Sequence, residues 1–338
     1  MESTMKKYAE RIERNEINPH FRYDGNQSGL ILNPLDEDTP LELLGFGIYQ
    51  LDSNSVIRET EEKEIVFVPQ NGEFEVELRG KKFCLKREKG PFPKKPKMSS
   101  ASALYIPCHS KVILQGQGEI AFFEAPAFEE KSPFFLSTQD VKVSSRGEWV
   151  WRREVATLIT PQDASSNLVV GETYSPPGFW SGTPVHKHDK DQPSLGESDH
   201  EEIYYFRFRE KIRPDGQFGP YGVQILMDEV GLKKAYLIED RSVVAIPGGC
   251  HPVVTSPVSD LLYLWGLAGR GNRLVMRDLP EFIYLKYFEE IFKKLDEAKW
   301  GKIISQKNFQ NLCSSYPLTD DQINLLILML REKGFEFE

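Results

Sequence analysis

Cysteine is scarce. The 338 residues hold four, Cys84, Cys108, Cys250 and Cys313, widely scattered and never in C-x-x-C spacing. That pattern excludes a disulfide scaffold and a zinc ribbon, and it fits a reducing cytoplasm. Long apolar runs are also missing. No stretch approaches the roughly 18 residues of a membrane span, and the opening MESTMKKYAERIERNE is charged throughout, without the apolar core of a secretion signal. Positive charge is in deficit: 42 Lys and Arg stand against 51 Asp and Glu, a formal net charge of -9 with a pI near 5.4. An acidic surface repels nucleic acid and anionic membranes, so a small soluble molecule is the expected partner.

What is present is ample apolar content, 40%, in a chain longer than one ordinary core needs. After a polar leader over residues 1–35, short β-like runs recur, among them LGFGIYQL (44–51), EIVFVPQ (64–70), EFEVELRG (73–80), ALYIP (103–107) and EIAFFEA (119–125). Asn71-Gly72 is a hairpin signal and Arg79-Gly80-Lys81 a glycine turn. The lysine- and proline-rich stretch 90–102 reads as a surface loop. A second β series follows: NLVVGETYS (167–175), EIYYFRFR (202–209), GVQILM (222–227), KKAYLIE (233–239), SVVAIPGG (242–249) and DLLYLWGLAG (260–269). Many short strands with turns between them predict sandwiches or barrels. ALYIPCHSKVILQG in the first series resembles VVAIPGGCHPVVTS in the second, which points to a tandem repeat. The expected units are a first barrel over 36–150, a second over 151–277 and a helical extension over 278–338. In that extension Leu285, Phe288, Phe292 and Leu295 share a helical face, and Thr319 with Gln322 forms a capping box ahead of INLLILML. It is expected to pack on a barrel, a dimer contact being the alternative; a homo-oligomer is left open.

The chemistry concentrates in the second series. In PVHKHD, His186 and His188 are two apart, so on a strand both imidazoles face one way and Lys187 the other. Glu202 opens the next strand, and His251 follows the turn IPGGCHP, where two glycines permit a sharp bend. Three imidazoles and a carboxylate suit a divalent metal, zinc first, with manganese, iron or nickel as alternatives. Glu201 competes with Glu202, since spacing cannot separate neighbours, and His200 reads as a loop residue. The first series has only His109 near the corresponding turn, so its barrel is expected to be metal-free.

The order His-x-His, Glu, His on successive strands resembles the cupin superfamily, and the two β series resemble a bicupin. GETYSPPGFWSGTPVHKHD, EEIYYFRF, IPGGCHPV and YLWGLAG, with ALYIPCHSKV and EAPA, resemble the 5-deoxy-glucuronate isomerase family of inositol catabolism, related to the 5-keto-4-deoxyuronate isomerases. The resemblance covers roughly residues 40–275. It implies tandem double-stranded β-helix barrels and metal ligands at His186, His188, Glu202 and His251. It also implies an aldose-ketose isomerase that turns 5-deoxy-D-glucuronate into 5-dehydro-2-deoxy-D-gluconate. The chain departs from the family's pattern at Gly182, Thr183 and Val185, at Cys250 and at Trp265.

Glu172 and Tyr174, on the strand leading to the metal motif, and Tyr204, on the face of Glu202, are candidates to move the proton; the alternative for each is a rim hydrogen bond or core packing. Arg153, in a stretch similar to the family's Arg-x-Val, is a candidate for a substrate carboxylate, with a structural ion pair as the alternative. Trp180 opens the segment before the ligands and is the second substrate-binding candidate. Two other functions share these features: a metal cupin that binds a sugar acid without converting it, and a ferrous cupin oxygenase.

Overall fold

The structure, a computed structural model, describes residues 4–338 except 88–89, 93–100, 163, 211–218, 230, 272 and 299–300. Most of the lysine- and proline-rich stretch, and the end of the first expected tail helix, therefore lie outside the described residues.

Strands written as unbroken apolar runs belong between two cores, because side chains alternate across a sheet and both faces need apolar cover. The first β series shows this directly. In Lys63–Pro69, Val66 and Val68 enter one core while Ile65 and Phe67 enter another. In Lys111–Pro126, Phe123 goes with the first set and Phe122 with the second. These strands lie antiparallel beside Gly45–Glu59 and Ala103–Ile106, and Gly72–Leu78 with Lys81–Arg87 completes the first barrel. The second series repeats the plan. Ser242–Ile246, Glu197–Glu210, Ser259–Gly269, Val169–Ser175 and Arg153–Ile159 form one sheet, and Trp180–Ser181, Val253–Thr255, Tyr221–Met227 and Lys233–Glu239 form the facing one. Along Glu197–Glu210, Ile203 and Tyr205 meet the first barrel while Tyr204 and Phe206 fill the second barrel's interior.

The two barrels therefore share a core, built where their main sheets lie face to face. Phe46, Tyr105, Phe123 and Tyr205 are fully buried there. Each such side chain contributes roughly 1.5–3 kcal/mol by leaving water. Two glutamates tie the halves reciprocally. Glu64 of the first barrel accepts hydrogen bonds from the backbone N–H of Ser166, Asn167 and Leu168, just ahead of the second barrel's strand Val169–Ser175. Glu201 of the second accepts from the backbone N–H of Glu42, Leu43 and Leu44, just ahead of the first barrel's strand Gly45–Glu59.

At two places contacts cross the expected division. The polar leader contains the helix Thr4–Glu13, whose Met5, Tyr8, Ala9 and Ile12 are buried in the second barrel's core, and His20–Arg22 pairs with Ser242–Ile246 at that barrel's edge. Its apolar residues follow a helical stripe among many charges, so composition alone conceals it. Val143–Arg146, placed in the first barrel by the expected division at 150, pairs with Arg153–Ile159 in the second. The tail forms the helices Tyr284–Ala298, Gln306–Cys313 and Asp320–Glu332, the last with its Thr319–Gln322 capping box. Their apolar faces close around Trp151 of the second barrel.

Candidate metal centre

The metal-ligand candidates come from three places in the second barrel. His186 and His188 flank Lys187, whose buried ammonium turns the other way, toward Asp189, Glu197 and Glu229. Glu202 sits on Glu197–Glu210 opposite Ile246, and His251 follows the turn after Ser242–Ile246. This turn needs its glycines: Gly249 has φ +74°, and a Cβ there would stand 2.5 Å from the Met227 carbonyl oxygen. The equivalent place in the first barrel explains a difference between the halves. Ile65 pairs with Ile106 as Glu202 pairs with Ile246, so an isoleucine occupies the position of the acid. His109 there is half exposed and lies 3.6 Å from Glu62. Among the described residues, His188, Glu202 and His251 form the group whose ligand atoms fall within 4.8 Å of one another. The His186 ring stands beside them, 5.7 Å from that of His251 between centroids.

The hydrogen bonds orient the rings. Nδ1–H of His186 donates to the Pro184 carbonyl at 2.9 Å, that of His188 to the His200 carbonyl at 3.1 Å, and that of His251 to the Gly249 carbonyl at 2.8 Å. Because a carbonyl only accepts, each neutral ring keeps the Nε2 lone pair for the site. Nε2 of His188 and of His251 lie 3.3 and 3.0 Å from Oε2 of Glu202. The His251 Nε2 is buried without a hydrogen-bond partner. Lone pairs converging on a carboxylate need a cation between them, and this donor set fits a divalent metal. Electrostatics agree. Although burial opposes its ionisation, Glu202 is held low, at about 2, by the imidazoles of His188 and His251 that face it, so the site presents a carboxylate. Burial, with the charges of its neighbours, lowers His186 to about 3, so it stays neutral.

His186, His188 and Glu202 open into a cavity of about 950 Å³, large for a ligand pocket. Tyr204 lines it beside Glu202; burial and then the Glu202 charge keep its phenol protonated well above the ordinary range. Arg153 lines it too. Its Nη1 donates to the carbonyls of Trp151 and Thr183 at 3.1 and 2.9 Å, and the nearby Glu289 acts on it through charge.

Three sequence candidates lie elsewhere. Glu172 and Tyr174 face the other barrel. The Glu172 carboxylate is fully buried against the Arg87 guanidinium, and the Tyr174 hydroxyl donates to Asp260 at 2.7 Å. The reason is strand parity. Gly171 and Thr173 pair with Trp265 and Tyr263 on the cavity side, so residues 172 and 174 must point away. Trp180 packs among the tail helices, and its neighbour Ser181 lines the cavity instead, its hydroxyl 2.6 Å from that of Tyr263. The same parity separates the two competing acids: Glu201 is the clamp on residues 42–44 and Glu202 faces the histidines. His200, read as a loop residue, is buried within the strand, and burial lowers it to about 3. Thr173, Ser181 and Tyr263 were missed; parity counted from Glu202 and Trp265 was the available signal.

Two barrels packed sheet to sheet define a tandem cupin. The fold aligns with an oxalate decarboxylase of Lactobacillus farciminis in a formate complex at a TM-score of 0.53 and 10% identity, over 91% of this chain and 96% of that one. The KduI/IolB family profile matches residues 20–285, and the chain belongs to this family. It is 27% identical over 261 residues to the 5-deoxy-glucuronate isomerase of Geobacillus thermodenitrificans, covering 76% of this chain and 91% of that protein. The isomerase of Geobacillus kaustophilus is 28% identical over 250 residues, 72% of this chain and 86% of that protein. An IolB-like protein from Salmonella typhimurium superposes at a TM-score of 0.70 with 27% identity, over 80% of this chain and 99% of that one.

Proposed function

We propose that this protein is a metal-dependent aldose-ketose isomerase of a uronic-acid-like sugar, converting 5-deoxy-D-glucuronate to its ketose isomer 5-dehydro-2-deoxy-D-gluconate in myo-inositol catabolism. The relatives' names support the substrate, and one observation carries the reading. A donor set suited to a divalent metal shares its cavity with a partly buried guanidinium whose hydrogen bonds go to backbone carbonyls. Zinc is the first choice for His186, His188, Glu202 and His251, with manganese, iron or nickel also suited. When bound, the ion supplies Lewis acidity that polarises a carbonyl oxygen and stabilises the adjacent alkoxide.

The chain's own residues do the rest. Arg153 pairs with the sugar carboxylate and orients the molecule. Tyr204 keeps its proton at neutral pH, so it donates a hydrogen bond to a substrate oxygen as charge develops there. Tyr263, Trp265 and Leu267, on Ser259–Gly269, line the cavity and offer apolar surface to the carbon skeleton of the sugar. The four cysteines are free thiols, which supports a cytoplasmic setting. No helix among the described residues is long and apolar enough to cross a membrane.

The test is to follow the aldehyde proton of 5-deoxy-glucuronate by NMR with metal-loaded protein. Conversion is expected, to stop on chelation and to return with one equivalent of metal. Fully metallated protein that converts no uronate would leave a sugar-acid-binding cupin, and oxygen uptake would mark an oxygenase.

A further inference from the structure

The family profile ends at residue 285, and the helix Tyr284–Ala298 begins there. Its apolar stripe, Leu285, Phe288, Phe292 and Leu295, packs into the tail's own core. One position further round, Lys286, Glu289 and Lys293 repeat the same spacing and line the cavity. A segment beyond the family's shared length thus forms part of the wall of the candidate site.

Asp296 and Glu297 line the cavity too, and within this wall Glu289 is the side chain hydrogen-bonded to a buried residue. Its Oε1 accepts the indole N–H of Trp151 at 2.8 Å. Trp151 is itself buried, and its carbonyl accepts from Arg153. One tryptophan therefore sets the relation between a cation and a carboxylate in the same cavity. Lys286 is already engaged with Asp278, and Lys293 is largely exposed, 3.9 Å from Glu297. A carboxylate accepts readily from sugar hydroxyls, while the guanidinium of Arg153 is the group that attracts the substrate's own carboxylate.

We infer that Glu289 is a specificity-determining residue of this site: it accepts a hydrogen bond from a substrate hydroxyl, so that the tail helix takes part in choosing which sugar acid is bound. This rests on the proposed sugar-acid isomerase. The full-length, metal-loaded protein is assayed with 5-deoxy-glucuronate and with D-glucuronate as wild type, Glu289→Gln and Glu289→Ala. Glutamine keeps an acceptor for Trp151, so it guards against a folding defect; metal content and melting temperature are measured for each.

The expected result is a KM raised about tenfold in Glu289→Ala for at least one of the two sugars, with kcat within about threefold of wild type and a smaller rise in Glu289→Gln. The ratio of kcat/KM between the two sugars is expected to change, which a purely structural role would not produce. Turnover by wild type with unchanged KM and unchanged sugar preference in both folded variants overturns this inference alone. No turnover or binding of either sugar by wild type overturns the isomerase reading, and this inference with it.

Discussion

Glu201 and Glu202 are neighbours whose carboxylates are carried to opposite sides of one sheet. Glu202 meets the histidines, while Glu201 accepts three backbone N–H groups and the hydroxyl of Thr4. Different losses should follow. Glu202→Gln is expected to purify with much less metal than wild type at nearly unchanged stability of the metal-free fold, read by elemental analysis and calorimetry. Glu201→Ala strands buried donors and should cost about 3 kcal/mol or more in chemical denaturation, with metal stoichiometry retained. Metal lost from the Glu201 variant and kept by the Glu202 variant would reverse the assignment. Both residues were legible as candidates from sequence. Their roles were not, because spacing records neighbours and not which face each occupies.

At the scale of elements, the turn Pro247–His251 carries a ligand out of one strand and into the site. Gly249 is left-handed, its N–H donates to Asp189 at 2.8 Å, and a methyl group there would collide with the Met227 carbonyl. Gly249→Ala is therefore expected to lose about 1–2 kcal/mol of stability from the backbone conformation alone, read by denaturant titration. It should also bind metal more weakly, because His251 lies two residues on. Unchanged stability and metal affinity would show that the turn tolerates a side chain and does not position the ligand. The glycine pair was legible as a bend. The strand Val169–Ser175 offered a glutamate and a tyrosine as candidates, whereas its threonine is the side chain that lines the cavity.

For the whole molecule the shared core between the barrels decides most. Arg87 comes from the first barrel and Glu172 from the second, and their side chains are wholly buried against each other. Arg87→Met alone should cost about 3–5 kcal/mol by leaving a buried carboxylate uncompensated, whereas Arg87→Met with Glu172→Leu should recover most of that loss. The double variant should keep kcat within a few-fold of wild type; a collapse of kcat in a stable double variant would return Glu172 to the reaction. The sequence by itself determined the two β series, the helical tail and the residues able to hold a metal, since alternation, turn glycines and donor chemistry are local properties. Only the tertiary structure decided which strand faces turn to the cavity, that the leader helix belongs to the second barrel, and that the tail helix walls the site. Those depend on contacts between residues far apart in the chain, which no local pattern records.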